Sequence, residues 1–396
     1  MKCNINAAVN SQFRIISPIL LLAFAFAIWL PNQVTAADLQ EAKVTQVVQD
    51  VKVVPSGAAA RPVTVNETVR QGNAVQTGTQ SRSELTFRDQ TITRLGEKTI
   101  YNVGGGRTIE LGSGQFLLYV PKNSGGAKVK MGPVTAAITG TTVVGNVLPS
   151  GIVEFTVLEG TARVHLDSVG QCLLIVAGQK AVYDPIAMKL EDPVEVDIQQ
   201  QLASPLVTDF RQLPSKSYIN VAIQKQHRAA AGVGGAELAH ALAATGASSI
   251  AIASPEQFMQ AFRAVLVRYP KNEICDFVAT AVRARPDLAD RIVVAAVTGR
   301  RPVRGYSKEA KDFKGGEMPC DWVQCIVDAA IVGSPRMANE IINALLQAAP
   351  MLRDCVGEPC FPANEFVSPP VISPLTPQVP PVPPVVSPEQ PPTTGP

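Results

Sequence analysis

Six of the seven cysteines lie beyond residue 170, and they are the residues whose type and spacing could do chemistry. Cys320 and Cys325 form one C-x₄-C pair, and Cys355 and Cys360 form another. Four-thiolate zinc sites use tighter C-x₂-C pairs, and an oxidising compartment disfavours free thiolates. Structural disulfides are therefore expected among Cys275, Cys320, Cys325, Cys355 and Cys360, with no metal site. Cys172 stands apart in a β-rich stretch. Spacing alone leaves the connectivity open. Cys275, Cys325 and Cys355 each follow a proline by five or six residues. They thus occupy equivalent helix positions, which suits a bridge between neighbouring helices.

No other constellation points to a reaction. The sequence has no H-E-x-x-H, G-x-S-x-G, P-loop or G-x-G-x-x-G pattern. Gly232–Gly235 is too short for a nucleotide loop and reads as a flexible joint. His165, His227 and His240 lack acidic or cysteine neighbours at ligand spacing, and His165 sits on a strand near Asp167. No catalytic residue and no cofactor is expected, and the chain reads as a non-enzyme. Arg300, Arg301, Arg304, Lys308, Lys311 and Lys314 share a loop with Glu309 and Asp312, which reads as solvated.

Composition narrows the class further. Charged residues make up 17% and the net charge is +2, which excludes the basic stripe of a nucleic-acid binder. Lys2 and Arg14 precede the uncharged run 15–30, and Val34-Thr35-Ala36 supplies small residues before Ala37. This pattern predicts a signal peptide over 1–36, cut between Ala36 and Ala37. The apolar run is short for a membrane span and carries Pro18. A periplasmic, secreted or cell-surface protein is expected, with six cysteines left to pair.

The elements that must position those cysteines fall into two kinds. Residues 37–185 alternate short runs rich in Val, Ile, Thr and Phe with Gly- and Asn-containing turns, as in a sandwich or roll of strands. Lys43–Val54, Ser83–Phe87, Thr91–Leu95, Gly114–Tyr119, Ile152–Leu158 and Ala162–Leu166 are the expected strands. Residues 186–254 read as a connector, with short helices at Gln199–Phe210 and Ala236–Ala244. From 255 to 360 the prolines recur every 15–17 residues. Pro286–Val297 aligns with Pro335–Leu346, and Pro suits a first helical turn. Ser254 and Ser334 precede their prolines as expected N-caps. The expectation is an all-α array of short helices, each too small to stand alone. The tail 361–396, with thirteen prolines, is expected to be disordered and extended.

The β-rich part resembles the FecR domain of bacterial envelope proteins. Gly72–Gly78 followed by Ser81–Phe87 resembles the family's opening hairpin. Asp89–Gly96 resembles its "DGT-x-hydrophobic-x-LG" element, with Gln90 where the family has Gly. Leu111–Val120, Val134–Val144, Val157–Gly160 and Ala177–Ala181 resemble its later strands. The resemblance covers about 45–185 and implies a β scaffold in the cell envelope. The name-giving members are transmembrane signalling proteins that control a sigma factor from a cytoplasmic segment. Only 14 residues precede the apolar run here, so that role is not carried over. The main functional expectation is a protein- or glycan-binding scaffold of the envelope. The alternative is a periplasmic sensor or regulator that signals through an inner-membrane partner. An enzyme with a dispersed site is the remaining possibility.

Overall fold

The computed structural model describes residues 39–270, 273–299, 320–357 and 359–360. The readings for 1–36 with its cleavage point at Ala36 and Ala37, the basic loop 300–314 and the tail 361–396 lie outside the described residues. The protein is β-rich from 41 to 195 and helical from 216 to 356.

Two sheets share one long strand, Thr108–Tyr119. Its second half pairs with Ile92–Leu95 on one side and Thr142–Val147 on the other. The first sheet then extends through Arg82–Phe87 and Glu41–Val48 in one direction. In the other it runs through Val153–Glu159 to Gln179–Asp184. The first half of the long strand belongs to the second sheet. There it pairs antiparallel with Ile100–Val103 and parallel with Ala127–Met131. That sheet continues through Val134–Ile138 and Thr161–Leu166 to Gln171–Val176. Gly114 marks the crossing between sheets, at φ +85°. A Cβ there would lie 2.4 Å from the Thr99 hydroxyl, so only glycine fits.

Period-two patterning builds the layers. Ala127–Met131 alternates buried and exposed residues, and Val134–Ile138 buries every second one. Leu85, Phe116, Val129, Ile138, Phe155 and Val164 meet between the sheets. The expected strand 43–54 is broken. Gln49 takes φ +60° and the chain turns at Asp50, giving Glu41–Val48 and Val51–Val54 in different sheets. Gln90, where the resembled family has glycine, also sits at positive φ, +68°. Asp89 holds that turn by accepting from the Thr91 backbone N–H and hydroxyl, both at 2.9 Å, and Arg107 pairs with it at 2.7 Å.

The connector covers the outer face of the first sheet. The expected helix Gln199–Phe210 is two single turns, α1 (Ile198–Gln201) and α2 (Pro205–Thr208), because Ser204 caps a new start before Pro205. Lys216–Ala230, whose pattern is mixed, is a full helix, α3. Ile198, Leu206, Leu213 and Ile219 pack on Leu117, Val144 and Leu158. Arg94 pins the connector from beneath. It is 1% exposed, donates to the Leu206 and Arg211 carbonyls, pairs with Glu84 at 2.9 Å and stacks under Phe210.

Beyond lie α4 (Gly235–Ala243), α5 (Pro255–Leu266), α6 (Ile274–Ala284), α7 (Ala289–Thr298), α8 (Cys320–Gly333), α9 (Ala338–Ala348) and α10 (Arg353–Val356). Pro286, Pro335 and Pro350 each open a 3₁₀ turn that leads into a helix. The residue before each proline has the same backbone, φ near −145° and ψ near 76°. That conformation follows from the proline ring, which bars the preceding residue from the α region. Ser254 forms a capping box with Gln257. Ser334 does not cap: its ψ of 79° belongs to the pre-proline bend, and its side chain makes no capping hydrogen bond. In the Gly232–Gly235 joint, Gly232 is exposed and Gly234 is packed. A Cβ on Gly234 would lie 2.4 Å from the Phe277 ring.

Candidate functional site

Where the helices meet the sheets, a cavity of about 540 Å³ remains. Its floor comes from the strand ends around Glu159–Thr161 and Val176–Gly178. One wall is α3, through Tyr218, Val221 and Lys225. The facing wall is α6 and α8, through Asp276, Gln324 and Asp328. Each wall follows from local sequence. α3 buries only Ile219 and Ala229 within its length, which leaves Tyr218 and Val221 exposed beside the cavity. α8 is an apolar run, Val327 to Val332, interrupted by Asp328. Its faces serve two neighbours: Ile326, Ala330 and Ile331 enter the helical core, while Asp328 and Ala329 line the cavity.

Several charged groups line this partly open cavity. Burial pushes the Asp328 carboxyl up to about 6, against a weaker pull from Lys225 and a Gln324 hydrogen bond at 3.4 Å. Asp276 is 4% exposed and pairs with Arg228 at 3.0 Å, yet burial still raises its pKa. Glu159 is also raised by burial, with Lys122 and Thr142 acting in the opposite sense. Lys122 in turn lies 4.2 Å from the centre of the Tyr218 ring. Asp276 and Glu159 are buried and Asp328 is half-buried, and Asp328 has no ion pair among the described residues. His165, His227 and His240 lie outside the cavity lining.

Three disulfides frame the cavity and the helices. Cys275 on α6 joins Cys325 on α8, and Cys320 on α8 joins Cys355 on α10. Cys275, Cys320 and Cys325 are themselves cavity lining. Cys172, left out of the expected set, joins Cys360 over a separation of 188 residues. The strand Gln171–Val176 carries Leu174 and Val176 into the helical core, and this contact brings Cys172 to the end of the helical region. Sequence neighbourhood could not reveal that pairing, because the two sheets and the helices must first assemble. His165 is the register partner of Cys172 and its Nε2 lies 3.7 Å from the sulfur. His165, Cys172 and Cys360 cluster within 4.8 Å. With both sulfurs in a disulfide they offer no thiolate, so the cluster is packing in this state.

The stretch that forms the sheet crossing, the Gln90 turn and part of the cavity floor is similar to a known family. Residues 73–163 match the FecR protein family. The FecR segment thus covers the middle of the β-rich part and ends just after the cavity floor begins. Two crystal structures of a putative anti-sigma factor from Parabacteroides distasonis ATCC 8503 are also similar, at 13% identity and a TM-score of 0.30. The similarity covers 33% of this chain and 63% or 62% of those chains. No curated protein matches. Among the described residues, no helix is long and apolar enough to cross a membrane.

Asp328, Asp276, Glu159, Lys225 and Arg94 are the residues that sequence reasoning missed. Asp328 left a signal: it is an acid set inside an otherwise apolar helix run. The others are ordinary charged residues in sequence: burial distinguishes Asp276, Glu159 and Arg94, and Lys225 is an exposed residue on the rim of the cavity.

Proposed function

We propose that this protein is an extracytoplasmic regulator, a FecR-containing sensor that acts through an envelope partner and catalyses no reaction. The FecR match over 73–163 carries this reading. It favours the regulator over a passive protein- or glycan-binding scaffold, since the name-giving FecR proteins signal. Three disulfides suit an exported chain, because such bonds persist in oxidising compartments. The cavity between sheet and helices is the reception site in this reading. The helical region is then a second module, in which the three proline-opened turns repeat one unit. Nucleic acid is not a partner, given the near-neutral charge.

Deletion of the gene, followed by transcript profiling, tests the reading. A defined set of transcripts should change. The intact chain should restore it, and a chain lacking residues 320–360 should not. Unchanged transcripts together with a lost envelope assembly would return the scaffold reading. Substrate turnover by the purified protein would remove the non-catalytic one.

A further inference from the structure

We infer that the cavity is a binding site for a cationic ligand group, an alkylammonium or guanidinium on a short apolar stem. The cavity, at about 540 Å³, is within the size range of small-ligand sites. Its apolar surface comes from Val176, Tyr218, Ala279, Ala329 and Val332, enough to seat a stem of several methylenes. Acids outnumber bases in its lining, where Glu159, Glu195, Asp276, Asp321 and the half-buried Asp328 meet Lys122 and Lys225. Asp276 already has Arg228, and Glu159 faces Lys122. Asp328 faces the cavity with one amide hydrogen bond and no ion pair among the described residues. A carboxylate left in that condition is costly unless a cation joins it. Lys225 approaches it electrostatically but forms no contact within ion-pair distance. Tyr218, beside Lys122, gives a second cation a ring face to rest on.

The chemistry has two sources, a free amine or the Lys or Arg side chain of a peptide. The binding holds whether or not the chain regulates a partner, so its test and the transcript experiment fail separately. Calorimetric titration of the oxidised protein with cadaverine and with the tripeptide acetyl-Ala-Lys-Ala-amide separates the sources. Binding of either probe supports the site, and the stronger one names the source. Asp328→Asn should weaken the bound probe at least tenfold, while its far-UV and near-UV circular dichroism stay unchanged. Acetylating the lysine of the tripeptide should have the same effect. Affinity should also fall from pH 7.5 to pH 5 as carboxyls protonate. Asp276, Asp321, Glu159 and Glu195 share the lining with Lys122 and Lys225, with Arg228 behind Asp276, so Asp328→Asn must flatten most of that dependence. No heat with either probe, equal binding by Asp328→Asn, or equal binding of the acetylated tripeptide would overturn the assignment.

Discussion

Replacing Asp328 with Asn should stabilise the protein at neutral pH and leave its stability unchanged in acid. The magnitude follows from the raised carboxyl, at about 6 against an ordinary 3.8. Each pK unit corresponds to about 1.4 kcal/mol, so ionised Asp328 costs up to about 3 kcal/mol when folded. Part of the side chain meets cavity water, which reduces the figure to about 2 kcal/mol. The sign is fixed by proton counting. Between pH 4 and 6 the folded state holds a proton that the unfolded state has lost, so the contribution of this group falls as pH rises. Below pH 4 both states are protonated and the cost vanishes. Asn keeps the oxygen that accepts from Gln324 and removes the charge. Urea unfolding of the disulfide-intact protein, followed by fluorescence of Trp322 on the same helix, measures the difference. A gap of about 2 kcal/mol at pH 7.5 should close by pH 4. Asp276 and Glu159 titrate in both proteins and cancel. A less stable Asp328→Asn at pH 7.5, or a gap that ignores pH, would refute the argument.

Other perturbations have equally definite outcomes. Arg94→Ala leaves buried Glu84 without its partner and frees two connector carbonyls, so it should cost about 3–5 kcal/mol in urea unfolding. The double change Glu84→Gln with Arg94→Met should recover much of that loss. Gly234→Ala forces a Cβ onto the Phe277 ring at a φ of +81°, and about 2–3 kcal/mol of destabilisation is expected by thermal unfolding. Replacing Cys275 and Cys325 by Ser releases a 50-residue separation and should cost about 4 kcal/mol by the chain-entropy relation, read from denaturant midpoints. Non-reduced peptide mapping should find Cys172 linked to Cys360; a Cys355–Cys360 link instead would refute the connectivity.

The class of the β-rich part and of the helical part was legible because it depends on local pattern. Short runs rich in Val, Ile, Thr and Phe between turn glycines announce strands, and the proline spacing announces helix starts. The sheet crossing was not legible. It depends on Gly114, one glycine among 29, whose role is set by Thr99 approaching from another strand. α3 was missed because its apolar residues serve two surfaces: Ile219 faces the sheet while Tyr218 and Val221 face the cavity. A helix with two apolar faces loses the single stripe that pattern reading seeks. The site was the least legible part. Asp328 is marked by its apolar neighbours, but Glu159 and Asp276 come from distant segments and look like solvated residues until the fold buries them.

The disulfides constrain how such a site could transmit anything. The helical region is attached to the β-rich part by the backbone near Val196 and again by the Cys172–Cys360 bond. Gln179 adds a third tie, accepting from the Val176 backbone N–H and donating to the Ile331 carbonyl on α8. A hinge that swings the helices off the sheet is therefore closed while the bond is intact. A ligand can shift only states that differ in its binding energy, and the elements free to differ are those that line the cavity without a crosslink. α3 fits that description: it carries no cysteine and leaves Tyr218 and Val221 exposed. Hydrogen exchange should thus find that a bound ligand protects α3 more than α8, which two disulfides already hold. After reduction the protection should spread to α8. Equal protection of both helices in the oxidised protein would mean that the disulfides do not set the path.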